Sequence, residues 1–175
     1  MITIIAGTNR PNSRALRLAQ YYANLLAELG EPHQILDLAE LPLDFTTTAL
    51  YHNTGRHDEF NRLVSLAEQA DKLVFIVPEY NCSFPGVLKA FIDGLPYPGG
   101  IRGKKAALVG LSSGGQGGQL PLNHLTDVLM YLGTAVLPQR VRLPFIDQHL
   151  TTEGQLTEPL YQQLLREQVT HLLAF

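Results

Sequence analysis

The sequence predicts an open, doubly wound α/β sheet of five parallel strands with helices packed on both faces. Short β-branched apolar runs alternate with longer segments of helical period, the pattern of a parallel sheet buried on both sides. No repeat, low-complexity tract or linker interrupts this alternation. At 175 residues with 45% hydrophobic content, residues 1–175 are expected to form a single domain.

Ile2 to Ala6 is a compact apolar run that stops at Gly7, a buried first strand. Leu16, Ala19, Ala23, Leu26 and Leu29 then recur at helical spacing, and Gly30 with Pro32 closes that helix. His33 to Leu38 is a short second strand. Leu41 to His57 has no clear period and carries prolines and a Thr-rich tip, so it reads as a long loop. Phe60, Leu63, Val64, Ala67 and Ala70 mark the second helix, and Lys72 to Val77, ending at Pro78, is the most strand-like segment. Pro85 to Leu95 can form a helix with proline in its first turn. Lys104 to Leu111 is the fourth strand, Leu120 to Leu132 a helix ended by Gly133, and Thr134 to Pro138 the fifth strand. The last helix starts near Thr157 and puts Leu160, Leu164, Leu165, Val169 and Leu172 on one side.

Composition narrows the partners. A formal charge of −3 with no basic run argues against nucleic acid and against a polybasic membrane contact. No stretch approaches the roughly 20 apolar residues of a membrane span, and the amino terminus lacks the features of a secretory signal. The single Cys82 excludes an internal disulfide framework and suits a reducing compartment. A cytoplasmic protein is therefore expected. The six histidines show no H-x-H or H-E-x-x-H spacing, so no metal site is expected.

In an open parallel sheet, ligands bind beyond the carboxyl ends of the strands, where strand order reverses. Three loops there carry unusual content. Gly7-Thr8-Asn9-Arg10-Pro11-Asn12-Ser13 precedes the first helix. It offers hydroxyls from Thr8 and Ser13, the Arg10 fork, and the unpaired N–H groups of a helix start, a donor set suited to a phosphate. The same residues also suit a plain polar turn capped by Asn12 or Ser13. Neither the dinucleotide glycine spacing nor a P-loop is present, so a mononucleotide fits better. Pro78-Glu79-Tyr80-Asn81-Cys82-Ser83-Phe84-Pro85-Gly86 follows the third strand. Free amides, the Asn81 side chain and the flat Tyr80 ring would complement the polar rim of a flavin. Gly110-Leu111-Ser112-Ser113-Gly114-Gly115-Gln116-Gly117-Gly118 follows the fourth, with small residues that admit close backbone approach to a planar ligand.

Pro78 to Lys89 resembles the PEYNxSxPGxLK signature of the NADPH-dependent FMN reductase family, which includes quinone, azo-dye and chromate reductases. Gly7-Thr8-x-Arg10-x-x-Ser13 stands at the distance that family shows, and with the third loop the resemblance covers about Ile2 to Leu132. It implies a flavodoxin-like sheet of order 2-1-3-4-5 and bound FMN reduced by NADPH. It implies that Thr8, Arg10 and Ser13 hold the phosphate. Pro78, Glu79, Tyr80 and Asn81 would line the isoalloxazine, and Ser113, Gly114 and Gly115 would also touch the flavin. The resemblance further implies a ping-pong reaction: hydride passes from NADPH to flavin N5, then to a quinone, flavin, azo compound or metal oxyanion taking the same place. No side chain need be catalytic. A homodimer or homotetramer is expected, with Leu43 to Arg56 as a lid or an arm onto a neighbour. Two departures stand out: Ala15 replaces a common asparagine, and Asp93-Gly94 replaces the usual Asp-Trp. Arg56, Arg102 and Lys104 are candidates to meet a 2′-phosphate.

Two rival readings differ in class. Gly110-Leu-Ser112-Ser-Gly114 satisfies the G-x-S-x-G elbow of a serine hydrolase, with Asp147 and then His149 or His171 following in order. A flavodoxin-like electron carrier would share the fold without reacting with NADPH; such carriers are usually strongly acidic, and −3 is mild.

Overall fold

The computed structural model describes every residue from Met1 to Phe175. Strands β1 (Ile2–Ala6), β2 (His33–Asp37), β3 (Lys72–Pro78) and β4 (Lys105–Leu111) form a parallel sheet of order β2-β1-β3-β4, and β4 then pairs with the edge. Register is continuous across the centre: Ile2 faces His33 on one side and Lys72 on the other, and Lys72 faces Lys105. This is the flavodoxin-like arrangement.

Alternation along the strands feeds two cores. Ile4, Ala6, Val74, Ile76, Ala107, Val109 and Leu111 point to one face. There helix α1 (Arg14–Glu28) contributes Leu18, Leu25 and Leu26, and the carboxyl-terminal helix contributes Leu165, Val169 and Leu172. Ile5, Leu73, Phe75, Val77, Ala106 and Leu108 point to the other face and meet Phe60, Leu88, Phe91, Leu122 and Leu125. Successive strand residues face opposite ways, so a strand buried on both sides must be apolar throughout.

The fifth strand departs from expectation. The edge is divided into β5 (Ala135–Val136) and β6 (Val141–Leu143), both parallel to β4. Pro138 in the gap has no N–H to donate to the ladder. The buried Gln168 fills the break, its side-chain amide donating to Leu108 O at 3.0 Å and Gln139 O at 2.9 Å.

The long loop is also more ordered than its lack of period suggests. A single 3₁₀ turn at Leu38–Glu40, helix α2 (Phe45–Thr48) and a second 3₁₀ turn at Tyr51–Asn53 fold it down. Leu41, Phe45, Ala49 and Leu50 are buried, and the Phe45 ring stacks on Phe60 with centroids 5.5 Å apart. Helix α3 (Asp58–Glu68) follows, then α4 (Gly86–Asp93), α5 (Gln119–Tyr131), the short α6 (Ile146–His149) and α7 (Pro159–Ala174). Gly94 is required here. A Cβ would lie 2.4 Å from the Phe60 ring and 2.5 Å from Leu50, so these side chains fill the space beside this position. No helix is long and apolar enough to cross a membrane.

Candidate functional site

The three loops meet at the carboxyl edge of the sheet around a polar cleft of about 440 Å³. Thr8, Arg10, Ser13, Pro78, Glu79, Tyr80 and Ser113 line it, as do Arg14, Arg17, Ser112 and Ile146. Of the residues singled out in the sequence, Asn81, Gly114 and Gly115 lie outside this cleft, on the exposed outer parts of their loops.

The first loop is a helix entrance. Gly7 leaves β1 with its N–H on Ile76 O, and a Cβ there would meet that same oxygen at 2.9 Å. Asn12 has φ 52°, left-handed backbone that asparagine tolerates, and turns the chain into α1. Ser13 is the cap: its hydroxyl accepts from Leu16 N at 3.0 Å. The N–H groups of Asn12, Ser13, Arg14 and Ala15 donate to nothing within the chain. The positive end of α1 therefore opens into the cleft.

The second loop is a tight hairpin. Tyr80 and Ser83 exchange backbone hydrogen bonds of 2.8 and 3.0 Å, with Asn81 (φ 50°) and Cys82 (φ 61°) between them. Two consecutive positive φ angles are those of a type I′ turn. This turn leaves the N–H groups of Asn81 and Cys82 unpaired and exposed. Glu79 faces the third loop instead, its carboxylate accepting from Gly118 N at 3.2 Å. Tyr80 reaches back to the first loop, its hydroxyl 2.8 Å from Thr8 Oγ1.

The third loop is held by its own backbone. Gly110, Gly117 and Gly118 pack against one another so closely that a Cβ on Gly110 would sit 2.7 Å from Gly117 O. Ser112 Oγ donates to Gly114 O at 2.8 Å and accepts from Gly117 N at 2.9 Å. Four successive N–H groups, Ser113 to Gln116, are left exposed and unpaired.

The nucleophile-elbow reading fails on this geometry. Ser112 spends its hydroxyl on the loop, and no histidine touches it. His149 packs edge-on against Tyr161, and His171 bonds Gln139. Asp147 pairs with Arg14 Nε at 2.9 Å and accepts from Ser113 Oγ at 3.3 Å. Two of the three 2′-phosphate candidates are likewise misplaced. Lys104 donates to Glu68 O and Ala70 O, and Arg102 packs on Gly133; both precede β4 and so lie at the opposite end of the sheet from the cleft. No three His, Cys, Asp or Glu side chains converge as metal ligands.

Arg14 and Arg17 carry no motif of their own in the sequence. They sit in the first two turns of α1, three apart and so on neighbouring positions of one helix face, a signal the spacing itself carries. Arg17 Nη1 donates to Thr151 O at 3.0 Å, while its Nε is shielded from solvent and has no hydrogen-bond partner.

The profile of the NADPH-dependent FMN reductase family matches residues 1–147. A 2-hydroxy-1,4-benzoquinone reductase of a Burkholderia species is 30% identical over 145 residues, spanning 79% of this chain and 74% of its own. An FMN-dependent NADPH-azoreductase of Staphylococcus aureus is 29% identical over 181 residues, spanning 98% and 93%. In three dimensions the chain is similar to the flavoenzyme NAD(P)H:(acceptor) oxidoreductase FerB of Paracoccus denitrificans, with TM-score 0.78, 24% identity and coverage of 98% and 94%, a likeness of fold. The chain thus belongs to the NADPH-dependent FMN reductase family, flavodoxin-like oxidoreductases that use FMN and a reduced nicotinamide.

Proposed function

We propose that residues 1–175 act as one domain that holds FMN in the cleft and passes electrons from NADPH to a quinone or azo acceptor. The observation that carries this reading is the convergence of unpaired donors from three loops at one edge of the sheet.

The donor set fits the cofactor. The cleft and its immediate rim hold three cations, Arg10, Arg14 and Arg17, against two carboxylates, Glu79 and Asp147. Glu79 is turned onto Gly118 N and Asp147 onto Arg14 and Ser113, so neither faces the helix start unopposed. Thr8, Arg10 and Ser13, with the open amides of α1, hold the phosphate. Pro78, Glu79 and Tyr80 would line the isoalloxazine within the cleft, and Asn81, on the exposed turn just outside it, would offer its amides at the outer edge of the ring. Ser113 on the cleft wall, with Gly114 and Gly115 just beyond it, would offer further amides to the flavin. They would favour the charge gained on reduction.

When bound, FMN would supply the redox chemistry, a hydride acceptor toward a reduced nicotinamide and a donor of two electrons with their protons to the acceptor. The chain supplies binding, orientation and fixed dipoles. Nicotinamide and acceptor occupy the same open face in turn, which makes the kinetics ping-pong. Quinone and azo acceptors are proposed from the relatives named above, and a free flavin or metal oxyanion would meet the same exposed position. Of the 2′-phosphate candidates, Arg56 alone stands in a β→α connection at the ligand edge. A homodimer or homotetramer belongs to this reading. Exposed Tyr97 and Tyr131 border an apolar groove of about 460 Å³ that offers a contact surface, and Tyr51, 80% exposed, is free to reach a neighbouring subunit. The cytoplasm is the proposed compartment.

The test is the absorbance spectrum of the purified protein, followed by anaerobic NADPH and an acceptor panel. A flavin spectrum bleached by NADPH and restored by quinone is the expected result. Protein that takes up no FMN overturns the reading, and FMN that NADPH leaves oxidised identifies a carrier instead.

A further inference from the structure

We infer that Arg17 is a direct ligand of the FMN phosphate, braced from behind by the Thr151 carbonyl. It adds a side-chain donor on a wall of the cleft where Ala15, two residues earlier, offers none. The inference rests on the FMN reading above and adds a residue outside the Gly7-to-Ser13 motif.

Three observations converge. Arg17 lines the cleft from the second turn of α1, on the same wall as Ser13 and Arg14. One arm of its guanidinium is anchored: Nη1 donates to Thr151 O at 3.0 Å, and the same carbonyl accepts Gly154 N at 3.1 Å, so the anchor is itself part of a closed turn. Its Nε is buried without any acceptor. No water-sized group reaches that nitrogen, so a phosphate oxygen cannot. The other arm, Nη2, makes no hydrogen bond and is not shut off from solvent, which leaves it as the free donor on the cleft that Arg17 lines.

Comparison with its neighbours shows why the role falls to this arginine. Arg14 is committed to Asp147 at 2.9 Å, and Arg10 is exposed on the loop. No carboxylate lies within ion-pairing distance of Arg17; the exposed Glu153 on the bracing turn feels its charge without pairing with it. The turn that braces it lies flat on α1. Gly154 adopts φ +82°, and a Cβ there would stand 3.6 Å from Arg17 O. The bond from Nη1 to Thr151 O restrains the fork before a ligand arrives, which reduces the ordering cost of binding. Phosphate recognition is in this way coupled to a segment more than a hundred residues further along the chain.

The test separates phosphate from ring. Apoprotein is titrated with FMN and with riboflavin, which has the same ring and no phosphate, following the quenching of flavin fluorescence. Wild type is expected to prefer FMN. Arg17→Gln is expected to lose about tenfold or more in FMN affinity, the scale of one charge-assisted hydrogen bond, with riboflavin affinity unchanged. Arg17→Lys keeps the stem and charge, but one ammonium replaces a two-ended fork. It too is expected to lose part of the preference, and it serves if the glutamine variant does not fold. A preference for FMN over riboflavin that stays at the wild-type ratio in the folded variants overturns the Arg17 role alone. Wild-type protein that binds neither flavin overturns the FMN reading itself.

Discussion

Thr8 Oγ1 and Tyr80 OH stand 2.8 Å apart, joining the turn after β1 to the hairpin after β3. The residues are 72 positions apart in the chain, and each belongs to a loop with its own reason to be there. Thr8 Oγ1 also accepts from Arg10 N at 3.3 Å, so one hydroxyl organises the entrance of α1 and the wall facing it. The contact makes the two loops one unit. Tyr80→Phe removes the bond and keeps the ring. Stability is expected to fall by about 1 kcal/mol, the net worth of such a bond, in urea unfolding of the apoprotein.

Arg10 stands exposed at the mouth of the cleft and has no anionic partner within the chain. Arg10→Ala is expected to weaken FMN retention by about tenfold or more while leaving the thermal midpoint of the apoprotein unchanged. Flavin content after gel filtration measures the first and calorimetry the second. Wild-type flavin content would remove Arg10 from the site.

Gly118 takes φ +81° and lies so close to Gly110 that a Cβ would come within 2.8 Å of its Cα and 2.9 Å of Leu111 N. Those neighbours are backbone of the central strand β4 and cannot give way as a flexible side chain would. Gly118→Ala is expected to destabilise by about 2 kcal/mol or more, combining the left-handed penalty with overpacking. It should also release Glu79 from Gly118 N. A chemical-denaturation midpoint equal to wild type would show that the loop is looser than its packing implies.

Cys82 holds φ 61° at the second central position of the hairpin turn, a place that favours glycine. Cys82→Gly is expected to stabilise the apoprotein by about 1 kcal/mol, because it removes the left-handed penalty of a side chain, offset in part by unfolded-chain entropy. Loss of stability in urea would mean that the thiol makes a compensating contact.

Much of the site is legible in the sequence, for a definite reason. Helix entrances and turns at strand ends are local: Ser13 caps its own helix three residues on, and the Tyr80 to Ser83 hairpin closes within four residues. Such features are written in consecutive residue types. Arg14 and Arg17 are harder to see because helix-face positions three apart serve structure and ligand equally well. The elbow misleads because Gly-x-Ser-x-Gly also describes a loop whose serine braces its own backbone, as Ser112 does with Gly114 and Gly117. Lys104 and Arg102 mislead because charge in a sequence carries no information about which end of a strand it occupies.

The sequence by itself determined the alternation of strand and helix, the burial of both sheet faces and the identity of the three loops, since each depends on periodicity or on turn chemistry over a few residues. Tertiary structure alone decided what the long loop does, through Phe45 stacking on Phe60. It also decided where the edge strand breaks, through Gln168 bridging Leu108 and Gln139. Which arginine is tied to a carboxylate and which to a carbonyl is settled the same way, by Asp147 and Thr151 arriving from the far end of the chain. These last are choices between partners distant in sequence. They are fixed only when packing brings the candidates together and leaves one of them without an alternative.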